Sequence, residues 1–165
     1  MTRRVAVSEL AGRPDLRAGE SLLLSGVVYT ARDAAHKKID ALLDAGQEPP
    51  FRLDGAVIYY AGPTPTPPGR VIGSIGPTTS GRMDAYAPRL MREGFHIMIG
   101  KGPRSPEVIA AIRQHSCAYL SAIGGAAALT ARCVQRAEPV AFGDLGAEAI
   151  LALTVKNLPL FVTNR

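Results

Sequence analysis

The chain has 165 residues, 47% hydrophobic and 20% charged, which suits one globular domain spanning 1–165 and leaves too little chain for two large ones. Net charge is +5, but the basic residues are scattered and aromatics make up 5% with no Trp, so neither a polyanion-gripping tail nor a base-stacking platform is expected. No apolar run reaches the roughly 18–20 residues of a membrane span, and MTRRVAVSEL is charged where a signal peptide would be apolar, which leads to the expectation of a cytoplasmic protein.

SLLLSGVVYT (21–30) reads as a strand, rich in Leu and Val. ARDAAHKKIDALLDAG (31–46) follows as a helix, with Ala34, Ala35, Ile39, Leu42 and Leu43 near helical spacing and Gly46 as a stop. Thr30, three residues before Asp33, is the expected N-cap. Arg32 then lies at the positive end of a helix, where the macrodipole disfavours a cation. Two readings stand: the arginine shares an anion with the helix end, or it pairs with Asp33 or another acid. His36 sits one turn further along the same face.

AVIYYAG (56–62) is a second strand, PTPTPPG (63–69) a proline-dense loop, and VIGSI (71–75) a third strand. GPTTSGRMD follows at once. Thr78, Thr79 and Ser80 offer three hydroxyls, and Arg82, after Gly81, presents a planar fork suited to a carboxylate or phosphate. This is a small-anion cradle in composition, although no GK[ST] follows to make it a nucleotide loop. A plain turn with capping hydroxyls is the alternative.

A helix is expected to begin near Pro88, where proline fits the first turn. HIMIG (96–100) is a fourth strand and leads into Gly-Lys-Gly, with Lys101 between two glycines. Ser105-Pro106-Glu107 opens a helix running to about His115: cap, proline, then an acid at the positive end. CAYLSAI (117–123) is strand-like, 124–134 is Ala-rich, and PVAFGD and LPLFVT supply further strands. Strand, loop and helix alternate, so the fold class expected is α/β, a central sheet flanked by helices.

In such folds ligands gather beyond the carboxyl ends of the strands. Arg32, Arg82 and Lys101 each follow a different strand, and three cations converging at one sheet end suit a substrate with two carboxylates. Cys117 and Cys133 have neither CxxC spacing nor a histidine pair beside them, so neither a disulfide nor a metal site is expected on this chain. There is no G-x-S-x-G and no dinucleotide fingerprint. An anion pocket without chemistry of its own is either a binding module or part of a site completed by another chain.

ARDAAHKK (31–38), the AGP…PGRVIGSIGPTTSGRMDAYAP block (61–88), MIGKG (98–102), YLSAIGGAAAL (119–129) and VAFGDLGAEAI (140–150) together resemble the β subunit, or C-terminal domain, of class I fumarate hydratases and the related tartrate dehydratases. The resemblance implies a swivelling β/β/α domain. It further implies a larger α subunit that carries a [4Fe-4S] cluster, in a hetero-oligomer for which a homodimer of heterodimers is one expected form. Carried over residue by residue, it gives Arg32, Thr79, Arg82 and Lys101 substrate contacts, Thr78 the handling of the proton at carbon, and His36 a catalytic role. The expected reaction is hydration of fumarate to (S)-malate. Tartrate or another hydroxy-dicarboxylate is the alternative substrate, and a non-catalytic dicarboxylate-binding module the alternative function.

Overall fold

The computed structural model describes residues 1–11, 15–123 and 125–165. In chain order the elements are β1 (Thr2–Ala6), α1 (Val7–Leu10), β2 (Ser21–Thr30), α2 (Asp33–Asp44), β3 (Val57–Tyr59), α3 (Ala87–Arg92), β4 (Ile97–Gly100), α4 (Pro106–Gln114), β5 (Ala118–Ala122), α5 (Ala127–Cys133), β6 (Val134–Ala141) and β7 (Ile150–Asn164). Two 3-10 segments, Ser80–Met83 and Gly143–Glu148, lie between them. The α/β expectation holds.

Strands β2, β3, β4 and β5 run parallel. Strand β7 is antiparallel to β5 through its last residues and to β2 along most of its length, so these five strands close on themselves. Strand β1 adds parallel to the first half of β2, and β6 adds antiparallel to the first half of β7. Closure removes the open edges that a flat sheet would leave between β2 and β5.

The period-2 alternation of the strands sorts side chains into two apolar layers. Val57, Tyr59, Ile97, Ile99, Leu120, Leu158 and Leu160 fill the inside of the ring. Ile58, Tyr60, Met98 and Tyr119 point the other way and meet Ala35 and Ile39 of α2, Leu90 and Met91 of α3, and Val108 and Ile112 of α4. Strands β3 and β4, and β5 except at Ser121, are thus buried on both sides, which is why they read as unbroken apolar runs.

Two expectations are corrected. VIGSI is not a strand: Ile72 and Ile75 are buried in the ring's core, but the segment makes single links, Ile75 N to Ala127 O and Thr64 N to Ser74 O, in place of a ladder. Gly73 and Gly76 weaken an extended run, and Pro77 has no N–H to offer a ladder. Thr30 is not the cap of α2; Arg32 occupies the N-cap position and makes no side-chain cap bond. The Thr30 hydroxyl is buried, donating to Ala149 O at 3.3 Å and accepting from Leu151 N at 3.0 Å, so it pins β2 to the start of β7.

Other expectations match closely. Pro88 lies in the first turn of α3. Ser105 caps α4, its Oγ accepting from Val108 N at 3.2 Å. Of the Ala-rich segment, Ala127–Cys133 is helix, while Gly124 lies outside the described residues. Both cysteines are free, and Cys117 is a buried thiol donating to Phe95 O with its pKa pushed up to about 12 by burial. No helix among the described residues is long and apolar enough to cross a membrane.

Candidate functional site

Because β2, β3 and β4 are parallel, their carboxyl ends open onto the same end of the ring, and each hands over to a polar segment. After β2 comes Arg32, half-buried, at the N-cap of α2. After β3 the chain loops out and returns along it: Thr78 N donates to Tyr60 O at 2.7 Å, and Ala61 bridges Pro77. After β4 comes Lys101, exposed, bridged to Thr79, with Ser80 N donating to Lys101 O at 2.9 Å.

Gly100 makes this last contact possible. A Cβ there would fall on Ser80 Oγ and 2.9 Å from the Tyr60 ring, so only a glycine lets the Thr78–Arg82 segment lie against the end of β4. Gly62 does the same on the other side, where a Cβ would strike Ala147 O and meet Arg32 Cδ at 3.0 Å. The segment ending in Glu148 therefore lies directly over the base of Arg32.

These contacts form a chain of charges. Glu148 accepts from Ala34 N at 3.2 Å and stands 4.0 Å from Arg32 Nε, while Asp33 Oδ2 stands 3.9 Å from Arg82 Nε. Both separations are too long for a hydrogen bond, so the carboxylates orient the guanidiniums without saturating them. Arg32 Nε and Asp33 Oδ1 are buried and have no hydrogen-bond partner among the described residues. Arg82 keeps 55% of its side chain exposed. The two sequence readings of Arg32 are therefore compatible: it faces an internal acid and retains donor capacity.

His36 lies behind this surface, only 1% exposed, its ring edge-on to Tyr60 at 5.4 Å and tilted against Tyr86 at 5.9 Å. Its Nδ1 is 2.9 Å from Arg32 O, a pure acceptor, so Nδ1 carries the proton and Nε2 the lone pair. Nε2 has no partner among the described residues. Burial, opposed in part by the bond to Arg32 O and reinforced by the positive charge of Arg104, lowers the pKa to about 4. The imidazole is neutral at pH 7 and a much weaker base than one in water.

The structure thus brings Arg32, Arg82, Thr78, Thr79 and Lys101 to one end of the ring, with His36 beneath them. Sequence reasoning missed the residues that hold this face together. Arg104 is wholly buried in its side chain and pairs through Nε with Asp84 at 2.7 Å. Glu148 closes the α2 terminus. The one visible signal was the recurrence of a charged residue immediately beside a glycine-bordered loop, in GRMD and GKGPRS.

No group of three His, Cys, Asp or Glu among the described residues could hold a metal ion. The two cysteines are buried or half-buried with raised thiol pKa values, the opposite of what thiolate ligation needs. The donor set of this chain does not fit an iron–sulfur cluster.

Comparison with known proteins agrees with this geometry. Residues 3–164 match the family model described as Fumarase C-terminus. Over 143 residues the chain is 45% identical to "Fumarate hydratase class I, anaerobic" of Escherichia coli (strain K12), covering 86% of this chain and 26% of that protein. "Fumarate hydratase 2" of Leishmania major is 40% identical over 146 residues, 87% of this chain and 26% of its own length. "Putative L(+)-tartrate dehydratase subunit beta" of Methanocaldococcus jannaschii is 39% identical over 153 residues, 89% of this chain and 78% of that protein. The chain spans about a quarter of the length of the fumarate hydratases it matches and most of the length of the β subunit. A family match over nearly every residue, with relatives of both kinds covering most of the chain, shows that this chain belongs to the fumarase C-terminus family, the β-type domain of the fumarate hydratase and tartrate dehydratase hydro-lyases.

Proposed function

We propose that the chain is the β component of an iron–sulfur hydro-lyase that adds water reversibly to fumarate to give (S)-malate, acting as one unit with a cluster-bearing α subunit. The observation that carries this reading is the delivery of Arg32, Arg82 and Lys101 to one end of the ring by three parallel strands. A four-carbon dicarboxylate has two negative ends, and fixed cations whose donors are not saturated internally receive them without reorganisation. The [4Fe-4S] cluster is assigned to the partner because the donors of this chain do not fit one.

The work of this chain is to bind, orient and exclude water. Arg82 and Lys101, with the Thr79 hydroxyl, hold one carboxylate, and Arg32 at the α2 terminus contributes to the other. In this reading Thr78 handles the proton at carbon; its backbone N–H is anchored on Tyr60 O. A bare hydroxyl is a poor base, so this role depends on a neighbour that lowers its cost of ionisation, by accepting its proton or by setting positive charge beside the alkoxide. His36 supplies a neutral acceptor at Nε2 and, through Nδ1–H, holds the Arg32 carbonyl in place. The α and β chains assemble as a hetero-oligomer, with a homodimer of heterodimers as the simplest closed form.

A second reading, a tartrate dehydratase β subunit, is favoured by one fact: the relative covered over most of its own length carries that name. Assay of the co-purified, anaerobically reconstituted α–β enzyme on fumarate, malate and L-tartrate separates the two. Under either reading Arg82→Ala lowers kcat/KM on the order of a hundred- to a thousandfold, the usual cost of removing one charge-stabilising donor, with assembly intact. Near-normal turnover in that variant would remove the proposal.

A further inference from the structure

Below the exposed cations lies a buried polar hub that the reaction itself does not require. Asp84 ends the 3-10 turn that carries Arg82, and its two carboxylate oxygens accept from Arg104 Nε and Ser105 N, each at 2.7 Å. Arg104 and Ser105 belong to the loop that begins at Lys101. The same guanidinium lies 5.3 Å from the Tyr60 ring and 4.9 Å from the Tyr119 ring, with Nη2 3.5 Å from Tyr60 OH. Tyr119 OH donates to Gly102 O at 2.9 Å and therefore accepts from Ser80 Oγ at 2.8 Å. The Ser80–Tyr119 bond ties the Thr78–Asp84 segment to β5, and the other bonds in this hub tie Asp84, Tyr60 and Tyr119 to the Lys101–Ser105 segment.

A fully buried guanidinium is costly, and an apolar pair of similar volume generally serves stability as well or better. What an apolar pair does not supply is direction: a carboxylate shared between a guanidinium and a backbone N–H fixes both loops in angle as well as distance. Arg104 has no exposed side-chain surface and cannot meet a ligand on the open face.

We propose that Arg104 and Asp84 are positioning residues: their pair locks the loop bearing Thr78, Thr79 and Arg82 to the loop bearing Lys101, and so fixes the span between the cations that receive a dicarboxylate. This rests on the dicarboxylate reading above.

The test uses the assembled α–β enzyme with Arg104→Lys and with the double variant Asp84→Asn/Arg104→Met, which removes both buried charges together. Inhibition by succinate, which needs two cations at a set distance, is compared with inhibition by propionate, which needs one. In the double variant the expected result is a Tm near that of the wild type, a succinate Ki and substrate KM raised at least tenfold, and an unchanged propionate Ki. Arg104→Lys, which keeps the charge and loses the fork, shifts the succinate Ki in the same direction by less.

A folded double variant with wild-type succinate inhibition overturns the proposal, as does equal loss for both acids, the mark of a merely structural role. Should the double variant fail to fold, a wild-type succinate Ki in Arg104→Lys overturns it. Should the wild-type enzyme neither turn over fumarate or tartrate nor bind succinate, the reading of function fails instead. The locking claim is then decided by the crystal structure of the Arg104→Lys chain: loops displaced relative to each other support it, and loops in the wild-type arrangement overturn it.

Discussion

At the scale of single residues, the environment of His36 makes a quantitative demand. Its folded pKa of about 4 lies below the 6.5 of an unfolded imidazole, so between those values the unfolded chain binds the extra proton and the folded chain does not. Stability contributed by the neutral, buried ring is fully present above pH 6.5 and is lost as pH falls toward 4, amounting to roughly 3 kcal/mol across the window. Thermal melts of the wild type and His36→Gln at pH 7.5, 6 and 5 check this: the wild type loses Tm faster on acidification, so its Tm advantage over the variant shrinks as pH falls. Parallel curves would mean that the ring charges freely in the fold. Arg32 and the threonines stood out because each breaks a local rule, a cation at a helix start or hydroxyls ending an apolar run, and Arg82 and Lys101 because they follow separate strands. Arg104 and Asp84 break no such rule. Only the approach of two segments twenty residues apart in sequence reveals that they meet.

At the scale of elements, close approach of backbone matters more than any single charge. Gly100→Ala would drive a methyl group into Ser80 Oγ and against the Tyr60 ring. Overpacking of this kind costs about 1–3 kcal/mol, and it would push the Thr78–Arg82 segment away from β4. The expected result is a lower Tm with a raised substrate KM, and adding Ser80→Ala recovers part of both because it removes the nearest clashing atom. Wild-type stability in Gly100→Ala would show that the segment rests more loosely against the sheet. Most helices and parallel strands were readable from period and caps, as Ser105 and Pro88 show. The sequence misled where burial and ladder pairing part company: Ile72 and Ile75 are core residues without being strand residues. It was silent on β1, whose exposed Arg3 and Arg4 carry no apolar alternation to announce a strand.

At the scale of the whole molecule, the cations occupy one end of a closed ring whose interior is filled with side chains, so under the function proposed above the dicarboxylate would be met on a surface and covered by the partner subunit. Closure of the ring also carries a consequence in time. The ring exists only once β7 lies between β2 and β5, and the Thr30 hydroxyl that fixes the register meets Leu151, 121 residues away. Contacts this distant slow folding, and refolding of the purified chain from urea is expected on the order of milliseconds to seconds, with no faster phase that recovers protection of the β2 amides. Early protection of those amides by hydrogen exchange would mean that β2 finds another partner first. During synthesis at roughly 5–20 residues per second, Leu22, Leu24 and Val28 wait about 6 to 28 s for their partners on β7. For that interval β2, with β1 and β3 already made, keeps the edge meant for β7 open to everything around the ribosome, and the yield in the cell depends on what shelters that edge until its last partner arrives.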